Sequence, residues 1–287
     1  MSQAVTPRRV PDAFLLVSGL CLAMAAFMAV KAGTDGIARA KVPGSSIIYV
    51  PSGQYLKYAT FGYSPLAADL VYLWAIQYYG TYEIQDRFAY LDHIFSIINE
   101  LDPRYVDPYE VGSLIAAQEA KDIPLALKIL DRGLEKNPDQ WIFPFEAGHI
   151  AQMVGDYDRA GDYFKKAMVM PGAPDFVRRL YADSLYKTAD YKSAWGIWSG
   201  IYNSASDERV KKIASNHLYQ VKAAADIQVL KDAVARFKDR YNRLPRSLDN
   251  LAAAGFLPSI PRDLDEKDYV YDPRTGDVKA ATIPWKR

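Results

Sequence analysis

Apolar and polar residues divide the chain into one long uncharged stretch followed by segments with helical periodicity. Residues 13–30 (AFLLVSGLCLAMAAFMAV) carry no charge. At 1.5 Å per residue they form about 27 Å of helix, enough to cross the core of a bilayer. Further along, apolar residues recur three or four positions apart, as in Leu91, Ile94, Phe95 and Ile98. This spacing places apolar side chains on one face of a helix. We therefore predict an all-α fold with one N-terminal transmembrane helix.

The N-terminal apolar stretch has two interpretations. Arg8 and Arg9 precede it, which favours a cytoplasmic N-terminus and an inner-membrane protein whose body lies in the periplasm. A cleaved signal peptide is the alternative, although the stretch is longer than the usual apolar core of a signal and the possible cleavage pattern Ala23-Met24-Ala25 would cut it in the middle. We interpret Cys21 as a lipid-facing or packing residue, because Leu20 before it is too bulky for a lipoprotein signal.

A 34-residue repeat follows in the middle of the chain. Asp122, Asp156 and Asp190 follow one another at intervals of 34, and each opens a short turn between two helical stretches. We interpret them as turn and N-cap residues. Four positions after each aspartate lies an alanine, and four positions after that a large apolar residue: Ala126, Ala160 and Ala194, then Leu130, Phe164 and Trp198. A small residue lets two helices approach, a large one fills the adjacent gap, and neighbouring pairs cover the remaining apolar faces.

The period, the helix–turn–helix unit and the alternation of small and large residues resemble the tetratricopeptide repeat. The resemblance covers residues 107–206 in three units, and residues 68–102 end in a similar way, as a degenerate fourth unit would. The small residue of the first helix matches at Gly148 and Ala182 but not at Leu114. The resemblance implies a solenoid of helical hairpins.

A solenoid of this kind exposes a concave face lined by the first helix of each hairpin. The resemblance maps the inward positions of the first unit onto Val111, Ile115 and Gln118. Those of the second and third units form the candidate partner-binding groove: Phe145, His149, Gln152, Arg179, Asp183 and Tyr186. Apolar, aromatic and hydrogen-bonding groups together suit a peptide or helix of another envelope protein. The alternative is that the chain's own N- or C-terminal segment fills the groove.

The C-terminal segment has a different pattern. Residues 227–241 have helical periodicity, Ser247–Leu251 reads as a short capped helix ended by Gly255, and residues 269–278 read as a β-hairpin. Over about 50 residues this order resembles the C-terminal part of type II secretion major pseudopilins, without the N-terminal helix signature of that family. The resemblance implies a small packing module of a helix plus a hairpin.

Aromatic residues are concentrated before the repeats, at Tyr72, Trp74, Tyr78, Tyr79 and Tyr82. We favour packing of this helix against the first repeat, and the alternative is an exposed platform for a partner or for the membrane interface, where Tyr and Trp collect. The predicted order of segments is a cytoplasmic N-terminus (1–12), a transmembrane helix (13–31), a linker (32–53), an aromatic helical region (54–106), three repeats (107–206), capping helices (207–241) and the C-terminal module (242–287).

Composition and motifs argue against a catalytic or nucleic-acid-binding protein. The chain has 287 residues with 35 Lys plus Arg against 34 Asp plus Glu, without the basic surplus of a general nucleic-acid binder. One cysteine excludes the Cys-rich metal spacings. His93, His149 and His217 have no partner at metal-ligand spacing, and the phosphate-binding and hydrolase motifs are absent. We predict no catalytic residue, no cofactor, no metal and no small-molecule substrate.

Together these patterns predict a non-enzymatic, membrane-anchored scaffold for protein–protein interaction in the assembly of a bacterial envelope complex, related to secretion or pili. Two alternatives remain. The first is an accessory integral subunit of a membrane complex, whose anchor helix packs on others through Ser18, Gly19 and its alanines. The second is an enzyme whose site carries no recognised motif.

Overall fold

The structure, a computed structural model, describes residues 12–35, 51–84 and 86–286. The chain divides into two compact units, residues 1–49 and 50–287. Across the described residues the fold is helical apart from one small β-ribbon, which confirms the all-α prediction. The predicted cytoplasmic N-terminus and most of the predicted linker lie outside the described residues.

The first unit contains one described helix, α1 (Asp12–Asp35). Its segment Leu16–Thr34 is long and apolar enough to cross a membrane by length and composition. The side chains of this segment are all exposed, including Leu20 and Phe27. A fully exposed apolar helix of this length is stable where lipid, rather than water, surrounds it.

The second unit opens with three helices, α2 (Gly53–Ala59), α3 (Ser64–Tyr79) and α4 (Leu91–Leu101). Both α2 and α3 pack against α4. A Cβ atom on Gly53 would lie 2.6 Å from the Cβ of Glu100, so only glycine allows this approach of α2 to α4. The Glu100 carboxylate accepts a hydrogen bond from the Gln54 backbone N–H at 3.0 Å.

The aromatic residues of α3 divide between packing and exposure. Tyr78 and Tyr79 are buried, and the Tyr72 ring lies edge-on to Tyr105, with centroids 5.4 Å apart. The three tyrosines therefore pack within the fold, but α3 packs mainly against α4, whereas the first repeat was the expected neighbour. Tyr82, just beyond the helix, is 72% exposed.

The middle of the chain forms three successive pairs of helices. The first pair is α5 (Val106–Leu114), extended by a π-helical turn (Ile115–Glu119), and α6 (Ile123–Lys136). The other two pairs are α7 (Ile142–Met153) with α8 (Tyr157–Ala167), and α9 (Phe176–Lys187) with α10 (Tyr191–Ser204). Each helix packs against the one before it and the one after it.

The turns inside the three pairs share one geometry. In each, the aspartate side chain accepts a hydrogen bond from the backbone N–H three residues later, which confirms the N-cap prediction: Asp122 from Leu125 at 3.0 Å, Asp156 from Arg159 at 3.1 Å and Asp190 from Ser193 at 3.1 Å. The residue before each aspartate is left-handed, with φ of 58° at Lys121, 81° at Gly155 and 62° at Ala189. These turns satisfy the free backbone groups at the end of one helix and the start of the next.

Small and large side chains interlock between the paired helices. Ala126, Ala160 and Ala194 are completely buried. A Cβ on Gly148 of α7 would lie 2.6 Å from the ring of Phe164 of α8, so the glycine makes room for the phenylalanine. The large residues Leu130, Phe164 and Trp198 are at most 2% exposed.

The C-terminal part begins with α11 (Glu208–Tyr241), one continuous helix of 34 residues where several capping helices were expected. It is followed by α12 (Asp249–Ala253) and by an antiparallel ribbon of β1 (Val270–Tyr271) and β2 (Val278–Lys279). A short 3-10 helix, Pro284–Lys286, follows the ribbon. Gly255 has φ of 75° and ends α12 as predicted.

Candidate partner-binding groove

A cavity of about 490 Å³ opens between α5 and α7. It contains three of the predicted groove residues, Phe145, His149 and Gln152, which lie on one face of α7 at helical spacing. The other main lining residues are Leu114, Ala117, Gln118, Glu146 and Met153. The mixture of thioether, aliphatic and aromatic groups with a few polar ones suits an apolar side chain of a bound segment whose neighbouring polar groups form hydrogen bonds.

The π-helical turn shifts the register of the first helix relative to the prediction. A π turn accommodates one extra residue in a helix, and here the Ala120 N–H donates to the Ile115 carbonyl at 2.9 Å. Ile115, expected in the groove, is therefore buried at 7% exposure, and Leu114, 49% exposed, lines the cavity instead. Ser113, 2% exposed, is buried one residue before the position where a small residue was expected.

Aromatic rings form the wall behind His149. The His149 ring lies edge-on to Phe145 with centroids 4.8 Å apart, and 5.9 Å from the ring of Phe164. Phe145 in turn contacts the rings of Trp141 and Phe176, each with centroids 5.4 Å apart. Edge-to-face contacts of this kind stabilise a fixed arrangement of rings. The wall of the cavity is thus preorganised rather than assembled around a ligand.

Two glutamates give the groove an acidic character. Burial raises the pKa of Glu146, and the nearby His149 opposes part of this rise. Burial also raises the pKa of Glu110, with further contributions from Glu146 and Asp107. Half-buried carboxylates that repel each other favour either protonation or a nearby cation. This end of the groove therefore favours a basic group on whatever binds it.

The predicted groove residues on α9 have different surroundings. Arg179 lines a second cavity of about 220 Å³ formed with the end of α10 and the start of α11. Burial lowers the pKa of His217 on α11, and Asp183 partly opposes this while Arg179 adds to it. Tyr186 packs half-buried against the apolar core shared by α9, α10 and α11.

The C-terminal segment lies against α11 at this end of the stack. The His217 ring stacks on Trp198 with centroids 3.9 Å apart, and Trp285 approaches it edge-on at 4.9 Å. The six predicted residues are therefore not one continuous site. The α7 residues line an open cavity, while Asp183 and Tyr186 face groups of α10 and α11.

No protein-family model matches this chain, and no curated protein is significantly similar to it in sequence. The groove is therefore interpreted from its geometry. Among residues 12–35, 51–84 and 86–286, no group of three or more His, Cys, Asp and Glu side chains is arranged to hold a metal ion.

Six cavity residues were missed by sequence reasoning: Ser113, Leu114, Ala117, Glu146, Ile150 and Met153. Leu114 was missed because the π turn shifts the register of the helix, and no residue type in the sequence predicts such a turn. Glu146 adjoins a predicted position, and its role depends on a second carboxylate, Glu110, that only the packing of α5 on its neighbours brings close. Met153 follows Gln152 at the end of α7, where the boundary of a helix is hardest to predict.

Proposed function

We propose that this protein is a membrane-anchored scaffold of the tetratricopeptide type, which holds a peptide or helix of another envelope protein in the groove between α5 and α7. The repeated turn supports the solenoid: three aspartate caps, each preceded by a left-handed residue, recur every 34 residues. The buried alanines and their large neighbours recur with the same period. In a solenoid, such repetition produces a curved face for extended partners.

The open, acidic and apolar cavity is the observation that carries the binding role. Leu114 and Met153 are about half exposed, at 49% and 54%, beside the ordered aromatic wall. The pKa of Glu146 is raised by burial, and a cation brought beside it would relieve the cost of its charge. The bound segment is accordingly one with a basic side chain flanked by aliphatic or aromatic residues.

The proposed position of the scaffold is supported by α1 and the residues before it. The apolar helix is long enough to anchor the chain in the inner membrane, and Arg8 and Arg9 favour an N-terminus in the cytoplasm. The body then lies in the periplasm. The similarity of residues 242–287 to pseudopilins favours assembly of a secretion or pilus complex, as an analogy at the level of one module.

A charge reversal in the groove tests this function. Full-length protein is purified from native membranes with its partners, as wild type, as Glu146→Lys and as the control Asp162→Lys, which makes the same change on the exposed surface of α8. We expect Glu146→Lys to lose the bound partner, because two cations then meet in a half-buried site, and Asp162→Lys to retain it. Retention by both variants, with helical content unchanged in circular dichroism, would contradict the proposed function.

The ionisation of Glu146 adds a pH test with a defined sign. Because its pKa is raised, lowering the pH neutralises this carboxylate before an ordinary glutamate, and the attraction for a basic segment is lost. The affinity of the partner therefore falls as the pH decreases through that pKa. Glu146→Gln removes this part of the pH dependence, as measured by titration calorimetry across a pH series.

A further inference from the structure

Helix α3 has apolar side chains on both of its faces. The inner face is buried and includes Ala68, Ala75 and Tyr79. On the outer face Leu66, Leu70 and Leu73 are 56%, 61% and 59% exposed. A helix that is apolar all round is typical of a protein interior or a membrane, because water solvates neither face well. Neighbouring helices cover only the inner face of α3.

The exposed apolar side chains continue from α3 back through the turn before it. Tyr58 at the end of α2 is 85% exposed, Phe61 is 90% exposed and Tyr63 is 70% exposed. With the three leucines they form what we term the outer surface: Tyr58, Phe61, Tyr63, Leu66, Leu70 and Leu73. Contiguous exposed apolar residues of this kind mark an interaction site.

The turn that carries Phe61 is strained. Phe61 has φ of 49°, a left-handed conformation that is unfavourable for a bulky residue, and Gly62 follows with φ of 96°. The side chain has no burial in the fold to offset this strain, since it is the most exposed residue of the outer surface. Strain of this kind collects at functional positions. No described residue covers the Phe61 ring, so burial against a surface outside the chain would offset this strain.

The six side chains of the outer surface are uncharged. Lys57 precedes Tyr58, and between residues 58 and 82 the one charged residue is Asp69, which is exposed and whose carboxylate interacts with Tyr105. A partner recognised by charge would require ionised groups here. An uncharged surface of leucines and phenylalanine, edged by tyrosine hydroxyls, instead matches the boundary between lipid headgroups and acyl chains, where tyrosine rings collect.

The number of residues between α1 and α2 limits how far this surface can lie from a bilayer that α1 spans. Helix α1 ends at Asp35 and α2 begins at Gly53. The 15 residues 36–50 between the described segments span at most roughly 50 Å, the limit for an extended chain. A short tether of this kind converts weak association with a surface into a persistent one, because the effective concentration is high.

We propose that the outer surface docks on the lipid bilayer that α1 spans, with Tyr58, Phe61 and Tyr63 at the headgroup boundary and the leucines of α3 in contact with acyl chains. The proposal rests on the membrane anchoring in the proposed function. Docking of this kind would fix the body close to the membrane surface, as amphipathic interfacial helices do for peripheral proteins.

Lipid-borne quenchers test the docking in the full-length protein. The chain is reconstituted at one copy per vesicle in phosphatidylcholine and phosphatidylglycerol containing doxyl-labelled lipid, with a fluorophore on a single cysteine. Native Cys21 reports insertion of α1. Leu70→Cys and Phe61→Cys, each combined with Cys21→Ala, report the outer surface, and Lys165→Cys in the same background reports the exposed surface of α8. We expect fluorescence losses at positions 61 and 70 comparable to that at Cys21 and several-fold greater than that at position 165.

The outcomes separate failure of docking from failure of the anchor. Quenching at Cys21 without quenching at positions 61 and 70 overturns the docking and leaves the anchor intact. No quenching at Cys21 overturns both the anchor and the docking. The same variants are then reconstituted at several copies per vesicle. Protection of positions 61 and 70 from both lipid quencher and aqueous iodide there, with intermolecular energy transfer between chains, identifies a second copy as the occupant and also overturns the proposal.

Discussion

The α7–α8 hairpin and the α2–α3 segment both carry large apolar side chains at helical spacing, but they bury these side chains to different extents. In the hairpin, Phe164 is completely buried and fits against Gly148. In the α2–α3 segment, Phe61 is 90% exposed and Leu70 is 61% exposed. The first region is explained by contacts within the chain, whereas the outer surface of the second requires a partner outside it.

This difference shows what an apolar pattern does and does not determine. In α8 the apolar residues lie on one side of the helix, so the fold buries them and leaves polar residues such as Lys165 in water. In α3 apolar residues lie on both sides, so α4 covers one side and leaves the other exposed. Stability and interaction are therefore carried by different residues, and substitutions separate the two roles.

The largest effect is expected from removing the buried ring. Phe164→Ala should lower the free energy of unfolding by about 3 to 5 kcal/mol, because it leaves a cavity at a fully packed position. Leu70→Ala, on the outer surface, should change it by less than about 0.5 kcal/mol. Thermal and urea unfolding of the full-length protein in detergent, followed by circular dichroism, measures both. Equal losses would contradict the comparison.

A smaller loss is expected where the helices of the hairpin approach. Gly148→Ala should destabilise by about 1 to 3 kcal/mol, since the added methyl group collides with the ring of Phe164. The matched control is Gly196→Ala in α10, where a Cβ has no neighbour within 4 Å. That change should stabilise by about 0.5 to 1 kcal/mol through reduced backbone entropy. The same unfolding assay measures both changes. Stabilisation by both substitutions would exclude a close approach of the Phe164 ring to the backbone at Gly148.

The next largest change in the free energy of unfolding is expected from substitution of an N-cap aspartate. Asp156→Ala should cost about 1 kcal/mol, because the Arg159 N–H then loses its partner at the start of α8. Asp156→Asn retains an acceptor and should be close to neutral. Asp162→Ala, in the middle of the same helix, should also be close to neutral. A full loss in the Asn variant would show that the negative charge, rather than the cap geometry, matters.

Effects of the same size or smaller concern the left-handed residue of each turn. Gly155→Ala should destabilise by about 1 kcal/mol, because φ of 81° is unfavourable for a side chain with a Cβ. Ala189→Gly, at the equivalent turn of the next hairpin, should stabilise by about 0.5 kcal/mol as the left-handed strain is relieved. Opposite signs would support equivalent turns, and equal signs would count against them.

Sequence reasoning located the hairpins well because their signals are local. An aspartate cap, an alanine and a large apolar residue all act within one turn of helix, and all three recur at fixed spacing. The π turn at Ile115–Glu119 could not be read in the same way, since it changes hydrogen bonding without a characteristic residue. That single shift moved the groove position from Ile115 to Leu114.

The extent of the groove depended on contacts between distant parts of the chain. His217 stacks on Trp198, and Trp285 contacts His217, through packing of α11 and the C-terminal segment. No local pattern places these residues near Asp183. The exposure of Leu70 could not be predicted from the sequence either, because α3 lacks the polar face that normally indicates which side of a helix faces solvent.

Occupancy of the α5–α7 groove in the native membrane tests the account most directly. A photoreactive benzoylphenylalanine replaces Met153, which lines the cavity, and in a second variant Lys165 on α8. After irradiation of cells, we predict that the photoreactive residue at position 153 crosslinks to one other envelope protein, at a segment with a basic residue flanked by apolar ones. The one at position 165 should not crosslink to that protein. Crosslinks from position 153 to residues of this chain alone would contradict a groove that binds a partner.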